Sequence, residues 1–136
     1  MTNRTPLDWM PSDRTVSMCP AGQWWDGVRV PRRIALDVLG LLGGNSGAVI
    51  EDPLSGQLYW LVPPGMADAW QFRPGAQVRV LGQAMHLAVP GPQRTAGPHW
   101  RIPPTPSRCL TEPGTLQEAL EAAVMAALGP RPERAS

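Results

Sequence analysis

Four basic side chains interrupt short apolar runs: Arg29 between Val28 and Val30, Arg79 between Val78 and Val80, His86 between Met85 and Leu87, and Arg101 between Trp100 and Ile102. Successive side chains of a strand project to opposite faces, so each run places its cation opposite its apolar pair. If those apolar partners turn toward a core, then Arg29, Arg79, His86 and Arg101 share one uncovered face, with Tyr59 beside them. Guanidinium groups grip phosphate through paired N–H bonds and a tyrosine ring stacks on a base. The chemistry of such a face is binding: a nucleotide, or a single strand of nucleic acid. The competing reading is that these residues are simply the solvated side of a half-buried sheet.

Residues capable of catalysis or metal binding are less well assembled. Glu51 and Asp52 precede Pro53 and are the candidates for holding a divalent ion, with Asp26 or Asp68 as the source of a third oxygen. Adjacent acids on an extended chain diverge, however, and Glu-Asp-Pro also reads as a solvated turn. Cys19, His86, His99 and Cys109 are separated by 67, 13 and 10 residues, without the close ligand pairs of structural zinc sites. Nothing around Met18-Cys19-Pro20 predicts a helix N-terminus that would stabilise a thiolate, so both cysteines read as inert free thiols. The glycine-rich run 40–47 follows a helix pattern instead of opening one, which makes it a helix stop and not a phosphate loop. No cofactor is expected, and the chain leans toward a non-catalytic binding module over a metal-dependent enzyme.

The totals agree with local rather than global charge. Twelve basic residues, all arginine, face eleven acids for a net charge of +1, so the field of the whole molecule draws in neither nucleic acid nor an anionic membrane. An arginine-only basic set suits bidentate anion recognition, and it equally reflects a GC-rich coding sequence. No apolar run approaches the roughly 18 residues of a membrane span, and Met1 to Met18 lacks the apolar stretch of a secretory signal. The expectation is a cytoplasmic protein with no membrane partner.

The elements that must position these residues are short strands ended by proline, at Val30-Pro31, Val62-Pro63, Val89-Pro90 and Ile102-Pro103. Proline removes a ladder donor and fixes φ. Strands are predicted over 26–30, 48–50, 57–62, 77–81, 84–89 and 99–102, the second and third joined as a hairpin and the fourth and fifth as another across Gly82-Gln83. Arg32 to Leu42 carries apolar residues at helical spacing after Pro31, and Thr115-Leu116-Gln117-Glu118 has the capping-box pattern ahead of a second apolar helix that stops at Gly129-Pro130. The predicted class is α+β: a mixed, mostly antiparallel sheet of about six short strands, both helices on one face, with one parallel pair from a βαβ start. The organisation is a flexible arm over 1–20, in which Leu7-Asp8-Trp9-Met10 docks on the body, one domain over 21–129 and a disordered tail over 130–136. Trp24 and Trp25 cannot both face inward on an extended segment. An alternative to nucleic-acid binding is therefore a protein-interaction patch formed by Trp24 or Trp25, Trp70 and the prolines of 103–106.

The stretches 25–31, 58–65, 80–82, 87–90 and 99–104 resemble a group of small actinobacterial proteins, across residues 19 to 128. That likeness implies a shared fold and no particular activity. Ser55-Gly56 ahead of an aromatic strand, and Val78-Arg79-Val80-Leu81-Gly82-Gln83 ahead of a strand ending in Val-Pro, are similar to the N-terminal domain of bifunctional DNA primase-polymerases. In that family two acids spaced by one residue hold metal and a histidine follows the Ser-Gly. Here Ile50-Glu51-Asp52 lacks the spaced pair, and Leu58 or Tyr59 stands at the place of the histidine. The resemblance implies a degenerate member that keeps the scaffold and a nucleic-acid- or nucleotide-binding face without the metal chemistry.

Overall fold

The computed structural model describes residues 8–130. Its elements run β1 (Val16–Pro20), β2 (Asp26–Pro31), α1 (Arg32–Leu42), β3 (Val49–Asp52), β4 (Gln57–Val62), β5 (Arg79–Leu81), β6 (His86–Pro90), β7 (His99–Ile102) and α2 (Pro113–Leu128). The fold is α+β, as the alternation of short apolar runs with two amphipathic segments predicts. Beyond the six expected strands the structure has β1, whose Val16-Ser17-Met18-Cys19-Pro20 is another period-two run stopped by proline. It lies in the segment read from sequence as the arm. Residues 1–7 and 131–136 lie outside the described residues, as do the first residue of the Leu7–Met10 cluster and almost all of the proposed tail.

Five strands form one sheet in the order β5-β2-β4-β3-β7, and β1 pairs with β6 in a separate two-stranded ribbon. Among the described residues every strand pairing is antiparallel. The expected parallel pair is not formed there, for a simple reason. The tight turn between β3 and β4, with Gly56 at φ +69°, folds β4 straight back, so β4 lies between β2 and β3. β2 and β3 still run in the same direction, with one strand inserted between them. The hairpin β3–β4 forms as predicted. The second predicted hairpin does not: a turn is present, with Met85 N–H donating to Gly82 O at 3.0 Å, but β5 pairs with β2 while β6 crosses to pair with β1.

Both helices pack on one face of the large sheet. Val28 and Val30 of β2, Val49 of β3, and Leu58, Trp60 and Val62 of β4 meet Ile34, Ala35, Val38 and Leu42 of α1 and Leu116, Leu120, Ala123 and Val124 of α2. Burying each Ile, Val or Leu of this set contributes about 1.5–3 kcal/mol, which holds helices this short better than propensity does. The start of α2 differs from the capping-box expectation. Glu112 is the cap, its carboxylate accepting from Gly114 N at 3.0 Å and Thr115 N at 2.8 Å, and Pro113 fills the first helical position.

The opposite face is not wholly bare, which corrects the picture of an open sheet. Leu87 and Val89 of the ribbon, Trp25, and the partly buried Trp9 and Met10 form a second core with Ile50, Leu61, Leu81 and Trp100. Trp100 Nε1 donates to Pro90 O at 2.7 Å, tying ribbon to sheet. Trp25 is buried while Trp24 is 42% exposed, so the two rings do not both face inward.

One tight backbone approach gives a test of this packing. A Cβ on Gly47 would lie 2.5 Å from Cys109 O and 2.9 Å from Leu110 C, where the chain passes beside β3 before entering α2. Ala48 N–H donates to Cys109 O there at 2.8 Å, and Gly47 N–H to Thr111 Oγ1 at 2.9 Å. Gly47→Ala is expected to lower the unfolding free energy by about 1–3 kcal/mol, read as a lower urea midpoint. Gly40→Ala, at a position where a Cβ meets nothing within 4 Å, is the stabilising or neutral control.

Candidate functional site

Strand register brings three of the predicted binding residues together. Arg29 of β2 lies directly opposite Arg79 of β5 on one side and Tyr59 of β4 on the other. Val28 and Val30 are in the helix-side core, so Arg29 and its two partners project from the other face. The ribbon covers only part of that face. Leu87 Cδ2 lies 3.5 Å from where a Cβ on Gly27 would be, so Gly27 and Leu81 are beneath it, whereas Arg29 and Tyr59 are only partly buried and Arg79 is exposed. The face beyond the ribbon is less covered, and the row Arg79, Arg29, Tyr59 lies there, with Tyr59 packed at its edge against the second core.

This row contains an electrostatic conflict. Like charges directly opposite each other on adjacent strands repel. Among the described residues neither Arg29 nor Arg79 pairs with a carboxylate, and Arg29 Nε is buried without a hydrogen-bond partner. Gln57, two residue pairs further along β2 and β4, likewise keeps a buried Oε1 without a donor. Burial pushes the Tyr59 phenol above its ordinary pKa, with the nearby Asp52 carboxylate adding to the rise against Arg29 and a Ser55 hydrogen bond. Tyr59 is thus a neutral aromatic ring at physiological pH.

Two of the predicted residues lie elsewhere. His86 is exposed on the outer side of the ribbon, because Leu87 and Val89 take the inward positions of β6. Arg101 projects toward the helix side. A β-bulge against β3 pairs Ile50 with Trp100 but Val49 with Ile102, so Trp100 and Ile102 face opposite cores, and a strict period of two fails at this position. The five residues therefore do not share one face, which corrects that expectation.

Arg101 instead joins a cluster that the sequence pattern does not reveal. Glu51 is 7% exposed and sits at the end of β3 on the helix side, opposite Leu58 and His99. Its Oε1 accepts from Arg101 Nη1 at 3.0 Å with His99 Nε2 at 3.7 Å, and its Oε2 accepts from Arg32 Nε at 3.4 Å. Burial alone would raise the Glu51 pKa, but the bonds from Arg101 and Arg32 and the charges of Arg101 and His99 outweigh it and hold the carboxyl below its ordinary value. His99 Nδ1 lies 2.8 Å from Gly97 O, a group that only accepts, so this nitrogen carries a proton. The one sequence signal is an acid in a strand otherwise paired with apolar residues.

These contacts bear on the metal candidates. The Glu51 oxygens are engaged by cations, and Asp52 is committed to its own turn, accepting from Leu54 N at 3.2 Å and Ser55 Oγ at 2.9 Å. Asp26 is four residue pairs from the level of Glu51 and five from that of Asp52, buried, and accepts from Gly65 N–H at 2.8 Å. Among the described residues no group of three or more His, Cys, Asp or Glu is placed to hold a metal ion. Cys19 and Cys109 are both free and partly buried, and burial raises the pKa of each thiol.

The second predicted surface is partly assembled. Trp24, Pro106 and Leu110 line a groove of about 440 Å³ with Trp9, Ser107 and Cys109. Trp70 is not part of it; it packs on Phe72 against the helix-side core. No described helix is long and apolar enough to cross a membrane. Comparison with known proteins adds no assignment, since no family model, curated protein or solved structure matches this chain.

Proposed function

We propose that the protein is a non-catalytic module that binds a phosphate-bearing ligand, a nucleotide or a single strand of nucleic acid, on the less covered part of the sheet face opposite the helices. The observation that carries this reading is the uncompensated pair Arg29 and Arg79, held side by side by strand register next to a neutral tyrosine. Two opposed guanidiniums with no carboxylate between them destabilise the free protein slightly. A bound phosphate converts that repulsion into two charge-assisted contacts. Tyr59 supplies the adjoining stacking surface for a base, an interaction that tolerates any sequence.

Fluorescence anisotropy with labelled single strands, repeated over a range of salt, tests the proposal. Arg29→Ala plus Arg79→Ala is expected to weaken binding and to reduce the slope of log affinity against log salt by about 1.4, since each phosphate that an arginine no longer neutralises subtracts about 0.7. The single change Arg79→Thr is expected to leave folding stability unchanged or raise it by about 0.2–1 kcal/mol, because it removes the cross-strand repulsion. Absence of binding by the unaltered protein at micromolar concentration and low salt, or equal binding by the double variant, defeats the reading.

A protein-partner reading is supported by a different place, the groove between Trp24 and Pro106. A concentration-dependent mass in light scattering that Trp24→Ala abolishes would favour it.

A further inference from the structure

We infer that the Glu51-centred cluster is a second anion site, one that takes the terminal phosphate monoester of a nucleotide or oligonucleotide. The phosphate site follows from the cluster itself; the identity of the molecule carrying the phosphate rests on the nucleic-acid reading above. Arg32 and Arg101 approach opposite oxygens of one carboxylate, with His99 beside Arg101, so two permanent cations and an imidazole surround a single negative charge. The cluster is cationic after Glu51 has been neutralised.

Each guanidinium uses only one nitrogen on Glu51. Arg32 Nη1 and Nη2, and Arg101 Nε and Nη2, have no protein acceptor among the described residues, and the two side chains are 54% and 38% exposed. Glu51 thus acts as a buried strut. It fixes two partly exposed arginines whose remaining donors have no acceptor among the described residues, the arrangement that grips a tetrahedral dianion with little loss of rotamer freedom. Arg32 is also the first residue of α1, followed by Arg33, and the first turn has no acidic residue and no side-chain cap. The partial positive charge of that helix end adds to the same field.

The position favours the end of a chain over its middle. Glu51 and Tyr59 sit on adjacent strands one residue pair apart but on opposite faces, because Ile50 pairs with Tyr59 and Glu51 with Leu58. A strand whose bases lie on the Arg29, Tyr59, Arg79 row reaches the cluster only by passing the rim of the sheet, at the β3–β4 turn or along the edge strand β7. A terminal phosphate, doubly charged and unhindered, suits the site beyond that rim.

The test compares 5′-phosphorylated and 5′-hydroxyl single strands of one sequence by anisotropy. In parallel, inorganic phosphate is titrated by NMR while the His99 and Arg101 signals are observed. The phosphorylated strand is expected to bind about tenfold more tightly, in line with a charge-assisted bidentate contact. Arg32→Lys and Arg101→Lys, which keep a cation beside Glu51 and hence the fold, are expected to remove that difference and weaken the phosphate response. Equal affinity for the two strands with no phosphate response at His99 overturns the inference while leaving the sheet-face reading in place. Phosphate shifts that vanish in the lysine variants, without binding of either strand, support the site and overturn the reading of its carrier. Silence in every arm overturns both.

Discussion

Trp60→Ala is expected to lower the unfolding free energy by about 3–5 kcal/mol. Trp60 lies in β4, with two strands to either side, and is fully buried, opposite Val28 on one neighbour and Val49 on the other. It faces the helices, so its indole is part of the core packed between them and the sheet. Truncation leaves a cavity that the sheet cannot close, because its position is set by ladders on both sides. The indole also donates from Nε1 to Ser46 Oγ at 3.1 Å, and Ser46 is itself buried and donates to Gly47 O at 3.0 Å. Removing this donor eliminates a hydrogen bond worth about 1 kcal/mol and leaves the hydroxyl oxygen without its indole partner. Trp60→Phe keeps most of the apolar volume and is expected to cost less, about 1–2 kcal/mol. Urea unfolding monitored by circular dichroism checks both. A lower midpoint with an unchanged slope is the expected form, and a loss below about 1 kcal/mol for the alanine variant contradicts the central position of Trp60.

Glu51→Gln is expected to destabilise the protein by about 1–3 kcal/mol at neutral pH, and the difference from the unaltered protein should fade in acid. The effect stays below that of breaking a fully buried ion pair because Arg32 and Arg101 reach solvent and are not stranded when the charge is removed. The direction of the pH effect follows from the depressed carboxyl pKa of Glu51 in the folded state. In the unfolded chain a glutamate titrates near about 4.3. The stabilisation from Glu51 is complete above that value and declines as pH falls through the lower folded pKa, since protonation then removes the charge the arginines require. Melting curves at neutral pH and in steps down to about pH 3 should show the two proteins converging at the acid end. A constant gap across the range would mean that the carboxylate charge contributes nothing and that only side-chain shape matters.

How much of this is legible in the sequence varies by element. β4 and β7 occupy the ranges predicted for them, and α1 begins and ends where Pro31 and Gly43-Gly44 mark it, because proline and glycine act through local backbone geometry that needs no tertiary partner. β1 obeys the same rule but sits in a segment rich in polar residues and proline, and its outer side chains, Val16 and Met18, remain exposed. The start of α2 departs from its expected place because Thr115 and Glu118 have the pattern of a box, while Glu112, before Pro113, caps the helix earlier by accepting from the Gly114 and Thr115 amides.

The sequence alone determined the class of fold, the proline-ended strands and the alternation that sends Arg29 and Arg79 away from the helix-side core. These follow from a period of two and from residues that block backbone hydrogen bonding, both of which operate within a few neighbours along the chain. Only the tertiary structure decided which cations meet. Insertion of β4 between β2 and β3, departure of β6 to a separate ribbon, and the bulge beside Arg101 are long-range pairings, and each reassigns side chains to faces or layers that local alternation cannot foresee. The Glu51 cluster depends on pairings of this kind, since its four residues come from α1, β3 and β7 and become neighbours only when those elements are packed together.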